Sequence, residues 1–324
     1  MDEIQIDVKE NSILKMDPQL LAILLKDRTT NQNIIWATDN YEHKGFGYKS
    51  ADCMTADKVS GRNGLVIKPR VEKSKKEQTS RVRDKAEVFT PSWICNAQNN
   101  LVDEAWFERN NVFNIEKEKS WETIVGLIKF PKDKTWQDYV KSNRLEITCG
   151  EAPYLVSRYD TVSGDIIPIN NRIGLLDRKL RIVNENTDEN EWFEWSKASF
   201  KSIYGYDWQG DNVLLARENL FLTFVDYYKQ RFYKEPSLTQ LIEIAEIISW
   251  NIWQMDGLKF VVPNSCIPAI EEQLSIFDSE TRLEENVGRK TNNNKKSEGI
   301  YCKIKDWEKN KTIKFKSLLE RGWK

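Results

Sequence analysis

Three short stretches end in residues that could hold a nucleotide. "RLEITCGE" carries alternating apolar positions, Leu145 and Ile147, into Thr148-Cys149-Gly150, where sparse side chains let a ligand approach the backbone. "KSIYGYDWQ" (201–209) ends in Gly205-Tyr206-Asp207, and "NIWQMDGL" (251–258) ends in Asp256-Gly257-Leu258. Two carboxylates and one bare turn on a single edge suit a cofactor with a ribose and an exocyclic amine. Asp207 stands where a ribose would offer its hydroxyls, Asp256 places a second carboxylate beside a small turn, and Trp208, next to the first acid, can wall the adenine. Each feature alone is ordinary, because a glycine at a strand end usually marks a turn and an aspartate there usually caps the next helix.

What the three ends need is a common scaffold. Helical segments separate the strands: "GDNVLLARENLFLTFVDYYKQRF", with Asp211 near its start and an apolar face at Leu214, Leu215, Phe221, Leu222, Val225 and Tyr228, and then "LTQLIEIAEIIS". Strands alternating with helices predict an α/β chain with a largely parallel sheet. In such sheets ligands sit beyond the carboxyl ends of the strands. Residues 1–84 read as an α+β extension. Its helix "DPQLLAILLKD" opens on Asp17 as N-cap with Pro18 first, followed by the strand "NIIWATDNY". Residues 58–85 hold ten Lys/Arg against three Asp/Glu and read as an extended, solvated connector. From 90 to 144 helix prevails, and the acidic run 184–195, "NENTDENEWFEW", reads as a solvated loop. The remaining boundaries are 85–262 for the cofactor domain, 263–300 for a linker containing the low-complexity "TNNNKKSEG", and 301–324 for a hairpin turning at Glu308-Lys309-Asn310.

Composition closes off other chemistry. The single histidine, His43, excludes a histidine triad or a multi-histidine metal centre, and it reads as structural. Five cysteines, scattered and never in a CxxC pair, argue for reduced thiols in a cytoplasm and against disulfides or zinc. No stretch approaches the roughly 18 apolar residues that span a bilayer, and "MDEIQIDVKE" lacks the apolar core of a secretory leader. Basic residues also collect in 289–324, with twelve Lys/Arg against four Asp/Glu, a distribution that fits either a polyanion site or a solvated tail.

In their order along the chain these stretches resemble the cofactor-binding half of gamma-type adenine-specific DNA N6-methyltransferases of restriction–modification systems. "KAEVFTPSWIC" is similar to the family's FTP opening, and "RLEITCGEAPYL" to its glycine-containing turn. "IYGYDWQGDNVLLARENL" is similar to the ribose-binding motif with its following helix, and "NIWQMDGL" to the adenine-binding motif. The resemblance covers about residues 85–260 and implies a partial Rossmann-like, class I S-adenosylmethionine-dependent methyltransferase sheet. It also implies that Phe89, Thr90 and Pro91 line the cofactor, that Glu146, Thr148, Cys149 and Gly150 meet its methionine part, and that Asp207 binds the ribose, with Trp208 beside it as a wall of the adenine pocket. Asp256, Gly257 and Leu258 would then meet the adenine. Two departures stand out: Ala152 occupies the place of a second glycine, and Asp207 follows Gly150 by 57 positions, against roughly 20 in a simple dinucleotide fold. The intervening "SRYDTVSGDIIPINNRIGLLDRKL" reads as an inserted hairpin.

The family acts on a flipped adenine through an Asn-Pro-Pro-Tyr-like tetrad. None of the nine prolines here is adjacent to another, so that tetrad is missing. The chain stops about where the strand leading to the tetrad would begin, which leaves a half-sheet with an open edge and a bare apolar face. The expectation is a split enzyme: this chain binds S-adenosylmethionine, and a second polypeptide carrying an NPPY-like motif completes it on double-stranded DNA. The other reading is a non-catalytic scaffold or DNA-binding subunit of a restriction or defence complex. A nuclease is disfavoured, because "QIDVKE" lacks the spaced acids that metal-dependent cleavage needs.

Overall fold

A computed structural model describes residues 10–85, 87–266 and 298–320. Before the sheet come helices α1 (Glu10–Met16), α2 (Pro18–Leu25), α3 (Ala56–Val59), α4 (Lys75–Lys85) and α5 (Ser92–Phe107), then the antiparallel pair β1 (Asn114–Lys117) and β2 (Ser120–Thr123), and α6 (Trp136–Lys141). The sheet strands and their crossovers follow: β3 (Arg144–Ile147), α7 (Leu175–Asn186), α8 (Trp192–Lys201), β4 (Ile203–Asp207), α9 (Gly210–Phe232), α10 (Leu238–Asn251) and β5 (Ile252–Gln254). The antiparallel hairpin β6 (Lys303–Asp306) and β7 (Lys311–Lys314) and the short α11 (Lys316–Glu320) complete the described chain.

Local sequence explains the boundaries. Asp17 accepts the Gln19 N–H at 2.8 Å with Pro18 in the first turn of α2, and reciprocal capping boxes start α6 (Thr135 with Asp138) and α10 (Ser237 with Gln240). β3, β4 and β5 run parallel in that order, with Glu146 beside Gly205 and Asp207 beside Gln254. Each crossover carries two helices, as parallel strands require. Lys179 of α7, fully buried, donates to the carbonyls of Val140 and Ser142 and to Ser202 Oγ, so one side chain gathers the starts of β3 and β4.

The chain is therefore mixed α/β around a small parallel sheet. One face, with Ile203 and Ile252, joins the large apolar core built with α2 and α7–α10. Arg217 of α9 ties the N-terminal extension into that core: it donates to the carbonyls of Leu24, Lys26, Ser249 and Ile252. The other face, with Tyr206 and Trp253, packs against Met255, Val262, Cys302, Ile304 and Phe315. Within the stretch 301–324, read as a hairpin, β6 and β7 pair with their turn at Glu308-Lys309-Asn310 as expected, while Lys316–Glu320 form α11 and 321–324 lie outside the described residues. The pair covers this face, so the expected bare surface is largely filled. β3 pairs with β4 alone among the described residues, which leaves one edge open with Leu145 and Ile147 exposed.

Several expectations are corrected. Residues 58–85 are not an extended connector but short helical turns and α4, because Lys73 and Arg81 point inward to buried acids. "NIIWATDNY" forms only isolated bridges, Lys26 to Asn33 and Ile35 to Cys53. The acidic run 184–195 straddles the end of α7 and the start of α8, anchored by fully buried Trp192 among Phe224, Tyr228 and Phe232. The inserted segment contains a bridge from Tyr159 to Ile166, but Ile169–Asn171 form a short helical turn and its last residues, Leu175 to Leu180, are the start of α7. The helical stretch from 90 to 144 is interrupted by the β1–β2 pair. The linker, apart from 263–266 and 298–300, lies outside the described residues, as does most of "TNNNKKSEG". Among the described residues no helix is long and apolar enough to cross a membrane, and no cluster of His, Cys, Asp and Glu is arranged to hold a metal ion.

Candidate functional site

β3 and β4 deliver their carboxyl ends to one open cavity of about 850 Å³. Its wall includes Phe89, Thr90, Glu146, Thr148, Cys149, Gly150, Asp207 and Trp208. Eight of the twelve residues singled out from sequence thus share one space. Pro91, Asp256, Gly257 and Leu258 do not line it.

The turn after β3 is built from left-handed backbone. Thr148, Gly150 and Ala152 have φ of 48°, 54° and 64°. For β-branched Thr148 this conformation is a true outlier. Ala152, where the resemblance places a second glycine, adopts the conformation a glycine would take and stays fully buried. The turn is held by the Cys149 N–H to the Tyr206 carbonyl at 2.8 Å, the Gly150 N–H to Asp207 Oδ2 at 3.0 Å and the Ala152 N–H to the Cys149 carbonyl at 2.7 Å. The ring of Phe89 lies against the bare Cα of Gly150, and the Arg70 guanidinium stacks on that ring 5.1 Å from its centroid.

Asp207 is the electrostatic centre. Besides Gly150, it accepts from the Gln209 N–H at 2.9 Å and from Asn212 Nδ2 at 3.4 Å. Burial nevertheless pushes its carboxyl up to about 6. Burial also raises Glu146, whose carboxylate accepts the N–H groups of Tyr154 and Leu155 and so braces the loop behind the turn. The Cys149 thiol is raised by burial, with Glu146 and Asp207 adding to the shift, so it stays a neutral packing group.

A second layer was not foreseen. Glu87 lines the cavity and accepts from Arg81 Nε at 2.7 Å, Gln209 Nε2 at 3.0 Å and Asn212 Nδ2 at 3.4 Å. Arg81 also pairs with Asp211 at 2.8 Å, and Tyr41 donates its hydroxyl to the same carboxylate at 2.7 Å. Burial alone would raise Asp211, but Arg81 and Lys73 overcome it and hold the carboxyl at about 2. The only sequence signals for this layer were acids, amides and bases spread over 41–212, with no spacing to connect them.

Asp256 has a different use. Its carboxylate accepts the N–H groups of Leu258 and Lys259 at 2.9 and 3.0 Å, closing the turn after β5. Leu258 is 91% exposed, and Gly257 backs onto the Tyr206 ring on the hairpin side. Trp208, 39% exposed, is fixed by its indole N–H to the Ala37 carbonyl at 2.9 Å.

No family model matches this chain, and neither a curated protein nor a solved structure is detectably similar to it.

Proposed function

We propose that the cavity binds S-adenosylmethionine and that the chain is the cofactor-binding subunit of a split adenine-specific DNA methyltransferase. On this reading the sheet is part of a Rossmann-like methyltransferase core, and a second polypeptide supplies the NPPY-like tetrad and contacts double-stranded DNA. The observation that carries the reading is the meeting of the Gly150 turn and buried Asp207 at the carboxyl ends of adjacent parallel strands, over an open space large enough for a nucleotide cofactor. Exchange of its Gly150 partner for a ribose hydroxyl would leave Asp207 satisfied. Glu87, Glu146 and Asp207 also surround the cavity with carboxyl groups, which suits a sulfonium cation. The open edge of β3 supports the second polypeptide, since an unpaired strand flanked by exposed Leu145, Ile147 and Val102 is a place for another strand to add.

Asp256 gives the alternative its foothold. With its carboxylate closing a local turn and Leu258 in solvent, the adenine side is incomplete, as it would be in a non-catalytic scaffold subunit. Calorimetric titration with S-adenosylmethionine separates the two. Binding by the wild type that disappears in Asp207→Ala and survives in Asp256→Ala supports cofactor use of this cavity. A wild type that takes up no heat with S-adenosylmethionine, but binds DNA, overturns it in favour of the scaffold.

A further inference from the structure

The C-terminal hairpin sorts its side chains by face. Its register pairs Lys303 with Lys314, Ile304 with Ile313, Lys305 with Thr312 and Asp306 with Lys311. Ile304 and Ile313 lie toward Tyr206 and Trp253. Because successive strand residues alternate sides, Lys303 and Lys305 share the opposite face of β6, with Thr312 and Lys314 beside them on β7, while Tyr301 precedes the strand and Trp307 opens the turn after it. Neither strand places an acid on that face. Lys303 and Lys314 stand directly across the ladder from each other, an arrangement that costs stability. None of Lys303, Lys305 and Lys314 has a carboxylate partner among the described residues.

Aromatic rings hold these cations in place. Lys314 and Lys316 lie 5.4 and 4.7 Å from the Tyr301 ring centroid. Lys305 is 6.0 and 5.9 Å from the ring centroids of Trp250 and Trp307, Arg28 is 5.7 Å from that of Trp250 and Lys201 is 5.4 Å from that of Trp307. The result is a strip of six cations and three rings drawn from β6, β7, α8, α10 and the segments beside them. Two acids touch it: Glu298 accepts from the Tyr301 hydroxyl, and Glu246 pairs with Arg28.

We propose that this strip binds the phosphate backbone of nucleic acid without regard to sequence. Three ammonium groups, Lys303, Lys305 and Lys314, without a carboxylate partner among the described residues call for a polyanion, and a phosphate lying between Lys303 and Lys314 would turn their repulsion into attraction. Lys303 and Lys305, two residues apart and thus separated by ~7 Å, match the repeat of neighbouring phosphates rather than a single small anion. The rings are half-buried beneath the cations, and the Trp307 indole N–H is fixed to Asn251 Oδ1 at 2.8 Å, which suits a charged surface better than insertion into lipid. None of these residues lines the cavity, so the strip stands or falls separately from the cofactor reading.

The test is fluorescence anisotropy of labelled duplex and single-stranded DNA of mixed sequence, titrated with the full chain over a range of salt. Binding should weaken linearly in log–log form. Replacing Lys303, Lys305 and Lys314 together by Gln should reduce the slope by about 2.7 on duplex, at ~0.9 per phosphate contact, and by about 2.1 on single strands, at ~0.7, whereas Lys311→Gln on the other face should leave it unchanged. The triple variant should melt no lower than wild type, since it removes the Lys303–Lys314 repulsion. If it does melt lower, the exposed single change Lys314→Gln takes its place, with an expected slope loss of about 0.9 on duplex. Binding of either DNA with these slope losses supports the strip, and the ratio of the two affinities says which form supplies the phosphates. Unchanged slopes in folded variants, or binding to phosphatidylserine vesicles but to neither DNA, would overturn it.

Discussion

Asp207→Asn should make the ligand-free protein more stable at neutral pH and less stable in acid. The carboxyl is raised from 3.8 to about 6 by burial, so the native state holds its proton more tightly than the unfolded chain does. Its contribution to stability is therefore fully present below pH 3.8 and is lost as pH rises through 6. A shift of about two units corresponds to about 3 kcal/mol at ~1.4 kcal/mol per unit. Asn carries no charge and escapes this loss, but it presents an amide N–H₂ where Oδ2 now accepts from Gly150. That mismatch costs about 1–2 kcal/mol at every pH. The variant should thus exceed wild type by about 1–2 kcal/mol at pH 8 and fall below it by a similar amount at pH 4. Urea unfolding of both proteins across this range gives the difference directly, and the other buried carboxyls cancel because both chains contain them. A difference that does not change sign or slope between pH 4 and 8 would refute the claim that Asp207 is buried without a cation.

Arg81→Ala should destabilise by about 3–5 kcal/mol, because it strands buried Asp211 and Glu87; chemical denaturation measures it, and a loss under 1 kcal/mol would return α4 to the status of a solvated segment. Since Asp211 is held at about 2 against 3.8, the stability tied to it is present above pH 3.8 and lost as pH falls through 2, so in an acid titration the stability difference between wild type and Asp211→Asn should stay constant above pH 3.8 and change only in that window, as wild type loses its advantage. Trp192→Ala should cost about 3–5 kcal/mol, where a residue in a solvated loop would cost almost nothing; a thermal melt distinguishes the two. Thr148→Gly should stabilise by about 0.5–1 kcal/mol, the left-handed penalty of ~1–2 kcal/mol less the added freedom of the unfolded chain, and a lowered melting midpoint would show that the threonine makes contacts worth more than its strain.

What could be read from sequence was what short-range pattern encodes. The helix starts at Pro18 and Leu238, the parallel sheet and the turn at Glu308-Lys309-Asn310 follow from caps, alternation and turn chemistry within a few residues. So does the meeting of Gly150 with Asp207, because adjacent parallel strands must end on the same edge. Charge misled where burial depended on partners far away in the chain. "KSKKEQTSRVRDK" is polar apart from Val82, and only the placement of Asp211, some 130 residues later, turns Arg81 inward. The acidic run 184–195 looked soluble because its acids are, yet Trp192 within it is a core residue. Asp256 shows the opposite limit: an acid at a strand end can serve a ligand or its own turn, and nothing in "QMDGL" says which, whereas the hydrogen bonds to Leu258 and Lys259 do.

The buried ions also explain why the site can hold so many carboxyl groups together. Arg81 serves Glu87 and Asp211 at once, Glu87 gathers Gln209 and Asn212, and Asn212 reaches Asp207. The basic segment thus neutralises the outer acids and spares Asp207 a larger negative field, but it brings no cation to Asp207 itself. That carboxylate is left with three polar donors and a raised affinity for a proton. A ligand that offers hydroxyls to its oxygens and a positive charge nearby would relieve both conditions, whereas an anionic ligand would worsen them. On the proposed reading, the geometry that raises Asp207 would favour a cationic, hydroxyl-bearing ligand over a nucleoside phosphate. Competition between S-adenosylmethionine and ATP for the cavity would expose an error in this step if ATP bound the tighter of the two.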